Sequence, residues 1–320
     1  MSSSPAPDFA GRTFLERSIR TLGQRFSPIA KPAVEYADTP REHMQRPYKP
    51  SPTDVQAEVG YMANTRQTLI VEYYGPDFQF LRHTGTEHRQ RMTIRDGRGK
   101  ARHWSLDKSG FELIRHRIAV RDFFDAEEVR AVYYPELERL IARACGAYRV
   151  IVYHHTVRSG DEAERAARQL LGPARFAHAD YTDDSGPRLA RAVLGAAADR
   201  TLHGRYAIVQ AWQPTNRPAL AHPLAVADAR SVAVEDMLGA ELRLPDRVVR
   251  TYCLRYNPRH DWFYFPEMQP DEALLFKAYE SLTDGRARRA FHTSFENPLS
   301  PRNAPPRQSI ESRALALFAR

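Results

Sequence analysis

The sequence predicts an α+β, mainly β fold: a β-sandwich or barrel buttressed by helices. Three observations carry this reading. The second half of the chain is a series of short β-branched and aromatic runs separated by Pro, Gly, Asn or Asp clusters. One strong helix signal precedes most of them, and no alternating βαβ rhythm links strands to helices.

In chain order, residues 1 to 55 form a Pro-rich N-terminal extension. Pro5, Pro7, Pro28, Pro32, Pro40, Pro47, Pro50 and Pro52 interrupt any long element, leaving room for a short helix over Phe14–Leu22. Residues 56–320 form the main domain. Arg91–Arg95 followed by Asp96-Gly97 reads as a strand entering a tight turn. Asp125–Cys145 is the best helix: Asp125 suits its cap, Glu127 and Glu128 its first turn, Gly146 its end. Pro135 must kink or divide it. Strands are predicted over Tyr148–His155, Tyr206–Trp212, Val248–Tyr256, Asp261–Phe265, Ala273–Tyr279, Ala290–Phe295 and Ser309–Phe318, with helices placed earlier in the chain. Tyr252, Tyr256, Trp262 and Tyr264 read as sheet-filling aromatics, and Trp212 as core or pocket wall.

Composition narrows the function classes. No run of 18 apolar residues exists, which argues against a membrane span, and the N-terminus has no apolar signal region. Only Cys145 and Cys253 occur, with no CxxC pair, so a disulfide framework or thiolate zinc site is not expected and a reducing, cytoplasmic setting fits. The net charge of +8 raises nucleic acid as a partner, but the basic residues are scattered and form no dense block. Gly97-Arg98-Gly99-Lys100 lacks the spacing of a phosphate loop.

The informative segment is Arg175-Phe-Ala-His178-Ala-Asp180-Tyr-Thr. Residues two apart on a strand point the same way, so His178 and Asp180 can reach one metal. His292, in a second strand-like stretch, completes two histidines and a carboxylate on one face of an octahedral ion. Three positions then stay open for a bidentate co-substrate and dioxygen, which favours non-haem iron(II). Arg307 follows His292 across a Pro-rich loop, and a hairpin return brings it back to the metal end. Its planar fork, with the Ser309 hydroxyl, suits the distal carboxylate of 2-oxoglutarate. Arg313, on the same strand and face, is the fallback for that clamp. His154 and His155 are adjacent and face opposite sides, so they cannot share a metal.

These residues carry a resemblance. From Val55 onward the chain resembles a family of 2-oxoglutarate- and iron(II)-dependent oxidoreductases. That family includes the cephamycin 7-alpha-hydroxylase component, fungal gibberellin desaturase and a fungal meroterpenoid endoperoxide-forming enzyme. The resemblance runs through Ile94–Arg98, Ser105–Phe111, Val150–Arg158, His178-Ala-Asp180, Pro223–Ala225, Trp262–Tyr264, Glu272–Tyr279, His292–Phe295 and Arg307–Arg313. It implies a double-stranded β-helix (a cupin-like jelly roll), iron(II) on His178, Asp180 and His292, and 2-oxoglutarate as co-substrate. It also implies oxidation of a small-molecule, secondary-metabolite substrate by O2, by hydroxylation or desaturation. Asp180, where a halogenase would carry Gly or Ala, disfavours halogenation. One departure stands out: Trp212-Gln213-Pro214 replaces an expected Trp-Arg-Pro. Rival readings are a jelly-roll hydrolase or isomerase without O2 chemistry, and a non-catalytic binding protein with a degenerate site. Whether a second copy or a partner biosynthetic enzyme binds the chain stays open.

Overall fold

The computed structural model describes residues 50–319 apart from 64–68, 75–79, 118 and 245–246. Alternation of Val55, Ala57, Val59 and Tyr61 with Gln56 and Glu58 makes strand β1 (Val55–Met62), whose apolar set is buried. There follow β2 (Leu69–Tyr74), β3 (Phe80–His83), β4 (Glu87–Asp96) and β5 (Phe111–Arg115). Helix α1 (Tyr134–Cys145) leads to β6 (Arg149–Ser159), α2 (Glu162–Arg168), β7 (His178–Ala179) and α3 (Ser185–Leu194). Apart from short helical turns at Gly195–Ala197, Ala198–Thr201, Ala229–Ser231 and Val234–Asp236, strands follow: β8 (Tyr206–Pro214), β9 (Leu224–Ala227), β10 (Met237–Leu244), β11 (Arg247–Leu254), β12 (Trp262–Tyr264), β13 (Glu272–Glu280), β14 (His292–Ser294) and β15 (Gln308–Leu317).

Two sheets result, and they form the expected double-stranded β-helix. The larger runs β1-β4-β12-β9-β14-β7-β11-β10-β2-β3, the smaller β5-β13-β8-β15-β6. Parity along β8 shows how the smaller sheet is used. Ala207, Val209 and Ala211 pack outward with Leu137, Leu140 and Ile141 of α1, while Ile208, Gln210 and Trp212 face the larger sheet. Both faces are covered, so β8 and β13 are buried along their whole length. The larger sheet also encloses a core of its own, in which Val59 and Tyr61 of β1 meet Ala177, Ala179, Ala225, Trp262 and Phe291. Small residues at 177, 179 and 225 leave the room those aromatics need.

The expected helix is divided as Pro135 requires. Asp125 accepts hydrogen bonds from the Glu127 and Glu128 amides, a π-helical turn occupies Val129–Tyr133, and α1 starts with proline in its first turn. Proline lacks the donor that an interior position must supply, and the wider turn ahead accommodates its ring. Gly146, at φ +71°, ends the helix.

Two expectations need correction. The region ahead of α1 is strand, not helix: β1 to β5 lie there. The expected Arg91–Arg95 strand lies within β4, where only Met92 and Ile94 are buried in a polar run. Tyr256 lies beyond the end of β11 and is 38% exposed, whereas Trp262 and Tyr264 do fill the sheet. The Pro-rich segment and the Phe14–Leu22 helix fall outside the described residues.

Gly60 fixes how β1 meets the chain leading into β7. Its carbonyl accepts from the Ala177 amide, and a Cβ at Gly60 would lie 2.5 Å from the Arg175 carbonyl oxygen. Gly60→Ala is therefore expected to lower the melting temperature and the metal occupancy together. Gly239→Ala, where nothing lies within 4 Å of the added carbon, should change neither. Calorimetry and metal analysis of the two variants check this.

Candidate metal centre

Register alone brings the two histidines together. β7 lies between β14 and β11, and His292 pairs directly with His178 across the antiparallel ladder. Their ring centroids are 4.3 Å apart. Asp180 is two residues past His178 and shares its face, with Oδ1 3.6 Å from His178 Nε2. The ligand atoms of His178, Asp180 and His292 all lie within 4.8 Å of one another.

Hydrogen bonds set which atoms are offered. His178 Nδ1 sits 2.9 Å from the Phe176 carbonyl and His292 Nδ1 3.4 Å from that of Ala290. Carbonyl partners place the protons on Nδ1, which turns both Nε2 lone pairs inward. His292 Nε2 is buried with no hydrogen-bond partner, and an unsatisfied buried acceptor is costly unless something occupies it. Phe276 packs on the same ring, 4.7 Å between centroids. Burial, reinforced by His178, pushes the His292 pKa down to about 4, so the imidazole is neutral and able to ligate at pH 7.

Asp180 is oriented from behind. Burial alone would raise its pKa, but Arg313, His292 and His178 hold it below the usual carboxylate range. Arg313 donates to Asp180 Oδ2 from Nε at 2.8 Å and Nη2 at 2.6 Å, and Gln210 Nε2 donates to the same oxygen at 2.8 Å. Glu311 Oε1 accepts from both Arg313 and Gln210. Oδ2 is thereby saturated, leaving Oδ1 for an ion. Two imidazole nitrogens and one carboxylate oxygen fit a two-histidine, one-carboxylate iron(II) site, while burial keeps Cys253, opposite His178 in the β11–β7 ladder, a protonated thiol.

Arg307 shares a small cavity with His178 and His292, of about 10 Å3, or room for roughly one water. It is 2% exposed, donates from Nη1 to the His222 carbonyl, and lies over the Trp212 ring. Burial, then the nearby charge of Arg158, pushes its pKa down to about 9, with Glu311 opposing. The group remains a cation at neutral pH, and its Nε has no partner. Ser309 faces the same side of the sheet, its hydroxyl buried and unpartnered, although it does not border the cavity. Arg313, the alternative clamp, is committed to Asp180 and Glu311. His154 and His155 do face opposite ways, one toward Arg313 and the other bonded to the Tyr134 hydroxyl.

Sequence reasoning missed Arg158, Gln210 and Glu311. Strand parity could have found two of them: Glu311 alternates with Arg307, Ser309 and Arg313, and Arg158 lies opposite Ser309. Gln213 points away from the cavity. It accepts from the Tyr133 hydroxyl and donates to the Pro270 carbonyl, so the departure at this position leaves the site untouched.

Comparison with known proteins adds context. The family model described as "Oxidoreductase/YMDC permease-like domain" matches residues 59–317. The alpha-ketoglutarate-dependent dioxygenase phiK of a fungal species is 31% identical over 83% of this chain and 100% of its own length. The hydroxylase/desaturase efuI of Hormonema carpetanum is 34% identical over 72% of this chain and 84% of its own. The structure of the iron and alpha-ketoglutarate-dependent endoperoxidase NvfI superposes with a TM-score of 0.74 at 24% identity. It covers 84% of this chain and all of that one, and so shows the shared fold. Among the described residues no helix is long and apolar enough to cross a membrane.

The His292 environment sets a pH dependence. Its folded pKa of about 4 lies below the ordinary 6.5, so the unfolded chain takes up a proton first as pH falls. The stability of the metal-free protein should be full above pH 6.5 and fall between 6.5 and 4, by on the order of 3 kcal/mol from this group. Denaturant titrations across that range should show a shallower decline for His292→Asn; identical slopes would remove His292 from the account.

Proposed function

Because the chain belongs to the family of iron(II)- and 2-oxoglutarate-dependent dioxygenases that these relatives represent, we propose that His178, Asp180 and His292 hold its iron and that Arg307, with Ser309, anchors the co-substrate. The protein is a 2-oxoglutarate-dependent dioxygenase that uses O2 to oxidise a small molecule, with hydroxylation or desaturation of a C–H bond as the reaction type. The observation that carries the site assignment is the convergence of an unpartnered His292 Nε2, a rear-anchored Asp180 and His178 on one point.

Iron(II) and 2-oxoglutarate together supply the oxidising power for activating O2, with succinate and CO2 as co-products. The chain's own residues supply geometry and charge. The imidazoles of His178 and His292 and the Asp180 carboxylate would offer an ion three ligands from one side. Arg313 and Gln210 keep the Asp180 carboxylate from rotating. Arg307 offers a buried guanidinium, and Arg158 lines the same cavity, a concentration of positive charge that suits a carboxylate. Trp212 and Phe276 form apolar walls that exclude water. The cavity must widen to admit 2-oxoglutarate, since it holds about one water as it stands. Catalysis is assigned to residues 56–320, with 1–55 as an extension.

Arg307→Ala is expected to weaken 2-oxoglutarate binding by about a hundredfold to several-thousandfold, from the roughly 3–5 kcal/mol lost when a buried charge pair loses a partner. Iron occupancy should stay near wild type, and Arg307→Lys should recover part of the loss. Arg313→Ala should instead lose iron, because Asp180 is released. Anaerobic titration of 2-oxoglutarate into the iron(II) protein, following the metal-to-ligand charge-transfer band beside metal analysis, separates the two. Normal affinity in Arg307→Ala would refute the assignment.

A chain beginning at Pro50 should keep its iron and its substrate-independent succinate release. An iron-free or insoluble product would return the extension to the catalytic unit.

A further inference from the structure

The chamber at the metal ligands is too small for an organic substrate, and a second hollow of about 250 Å3 adjoins it. Ser294 borders both, and the wall passes from Ala174 on the chamber side to Arg175 on the other. His222 also lines the larger hollow, while its carbonyl accepts the Arg307 hydrogen bond. Its φ of +46° is rare for a residue other than glycine. Such strain persists where surrounding structure demands it, here at the partition between the two spaces.

Charge distinguishes this hollow. Arg89, Arg91 and Arg175 line it together with Glu58 and Glu296. Arg89 leans on Glu58 and Glu87, and Arg175 lies 3.5 Å from Glu296. Arg91, opposite Glu58 in the β1–β4 ladder, has no ion pair or hydrogen bond among the described residues. The Arg91 guanidinium is thus available to an anion in this concave site. Phe295 and Pro298 supply an apolar wall. The close approach permitted at Gly60 ties this wall to the metal strand, because the Arg175 carbonyl lies against Gly60 three residues before His178.

We propose that this hollow seats the organic substrate and that Arg91, supported by Arg89 and Arg175, recognises a carboxylate on it. The inference rests on the dioxygenase site described above. It assigns the substrate anion and the 2-oxoglutarate carboxylate to different arginines on either side of the His222 partition. A substrate so held presents its remainder toward Ser294 and the open side of the ligand set.

The test uses the full chain with iron(II), without oxygen, and two matched probes: 2-naphthoate and its uncharged methyl ester. Binding is followed by probe fluorescence. The acid should bind about fivefold more tightly than the ester, as expected of one exposed ion contact. Arg91→Ala should remove most of that preference, and Arg91→Lys should keep part of it. Arg307→Ala and saturating 2-oxoglutarate should leave it intact. Arg91 is exposed on a solvent-facing strand position, so its variants should fold; an unchanged melting temperature confirms that. Equal binding of acid and ester, absence of binding by both, displacement by 2-oxoglutarate, or a preference surviving in Arg91→Ala would each overturn the proposal. Failure of the iron and 2-oxoglutarate site would appear separately, as a missing charge-transfer band with the 2-naphthoate preference still present.

Discussion

The buried bond between Arg313 and Asp180 joins the two sheets beside His178 and His292. Asp180 belongs to the end of β7 in the larger sheet, and Arg313, Glu311 and Gln210 belong to β15 and β8 in the smaller. Each charge here would be expensive alone, and each is tolerable because the others face it. Two carboxylates and one guanidinium leave one negative charge facing the histidines, which a divalent cation can complete. The arrangement therefore holds the sheets in register and fixes the ligand oxygen at the same time.

Charge of the opposite sign gathers a few residues along the same strand. Arg307 lies just before β15 and Arg158 near the end of β6, and burial together with the Arg158 charge makes the Arg307 cation costly. The strand thus runs from an anion-seeking end to a cation-seeking centre within six residues. That separation keeps the positive charge of Arg307 apart from the Asp180–Glu311–Arg313 cluster.

The metal strand itself is short, only His178–Ala179, and depends on its neighbours for position. Ladder bonds to β14 and β11, the Gly60 carbonyl on Ala177 and the Thr251 hydroxyl on the Ala179 carbonyl locate it from several sides. Alternation gives small alanines to the inner core of the larger sheet and ligands to the space between sheets. Either face alone would constrain the segment less, since a one-residue slip would bury Asp180 among the aromatics around Trp262.

The sequence by itself determined which residues could ligate and that they had to sit on strands, because a two-residue spacing shares a face only in extended chain. It also determined the broken helix before β6, through Asp125, Pro135 and Gly146, since capping and proline act locally. Period-two runs in the apolar strands were legible for the same reason. Only the tertiary structure decided that Arg313 serves Asp180 while Arg307 stays available, because both lie on one face of one strand and nothing local distinguishes them. It also decided that Gln213 faces the helix and that Arg91 lines the larger hollow. Those outcomes depend on which strands become neighbours, a matter of non-local pairing that the order of residues along one strand does not encode.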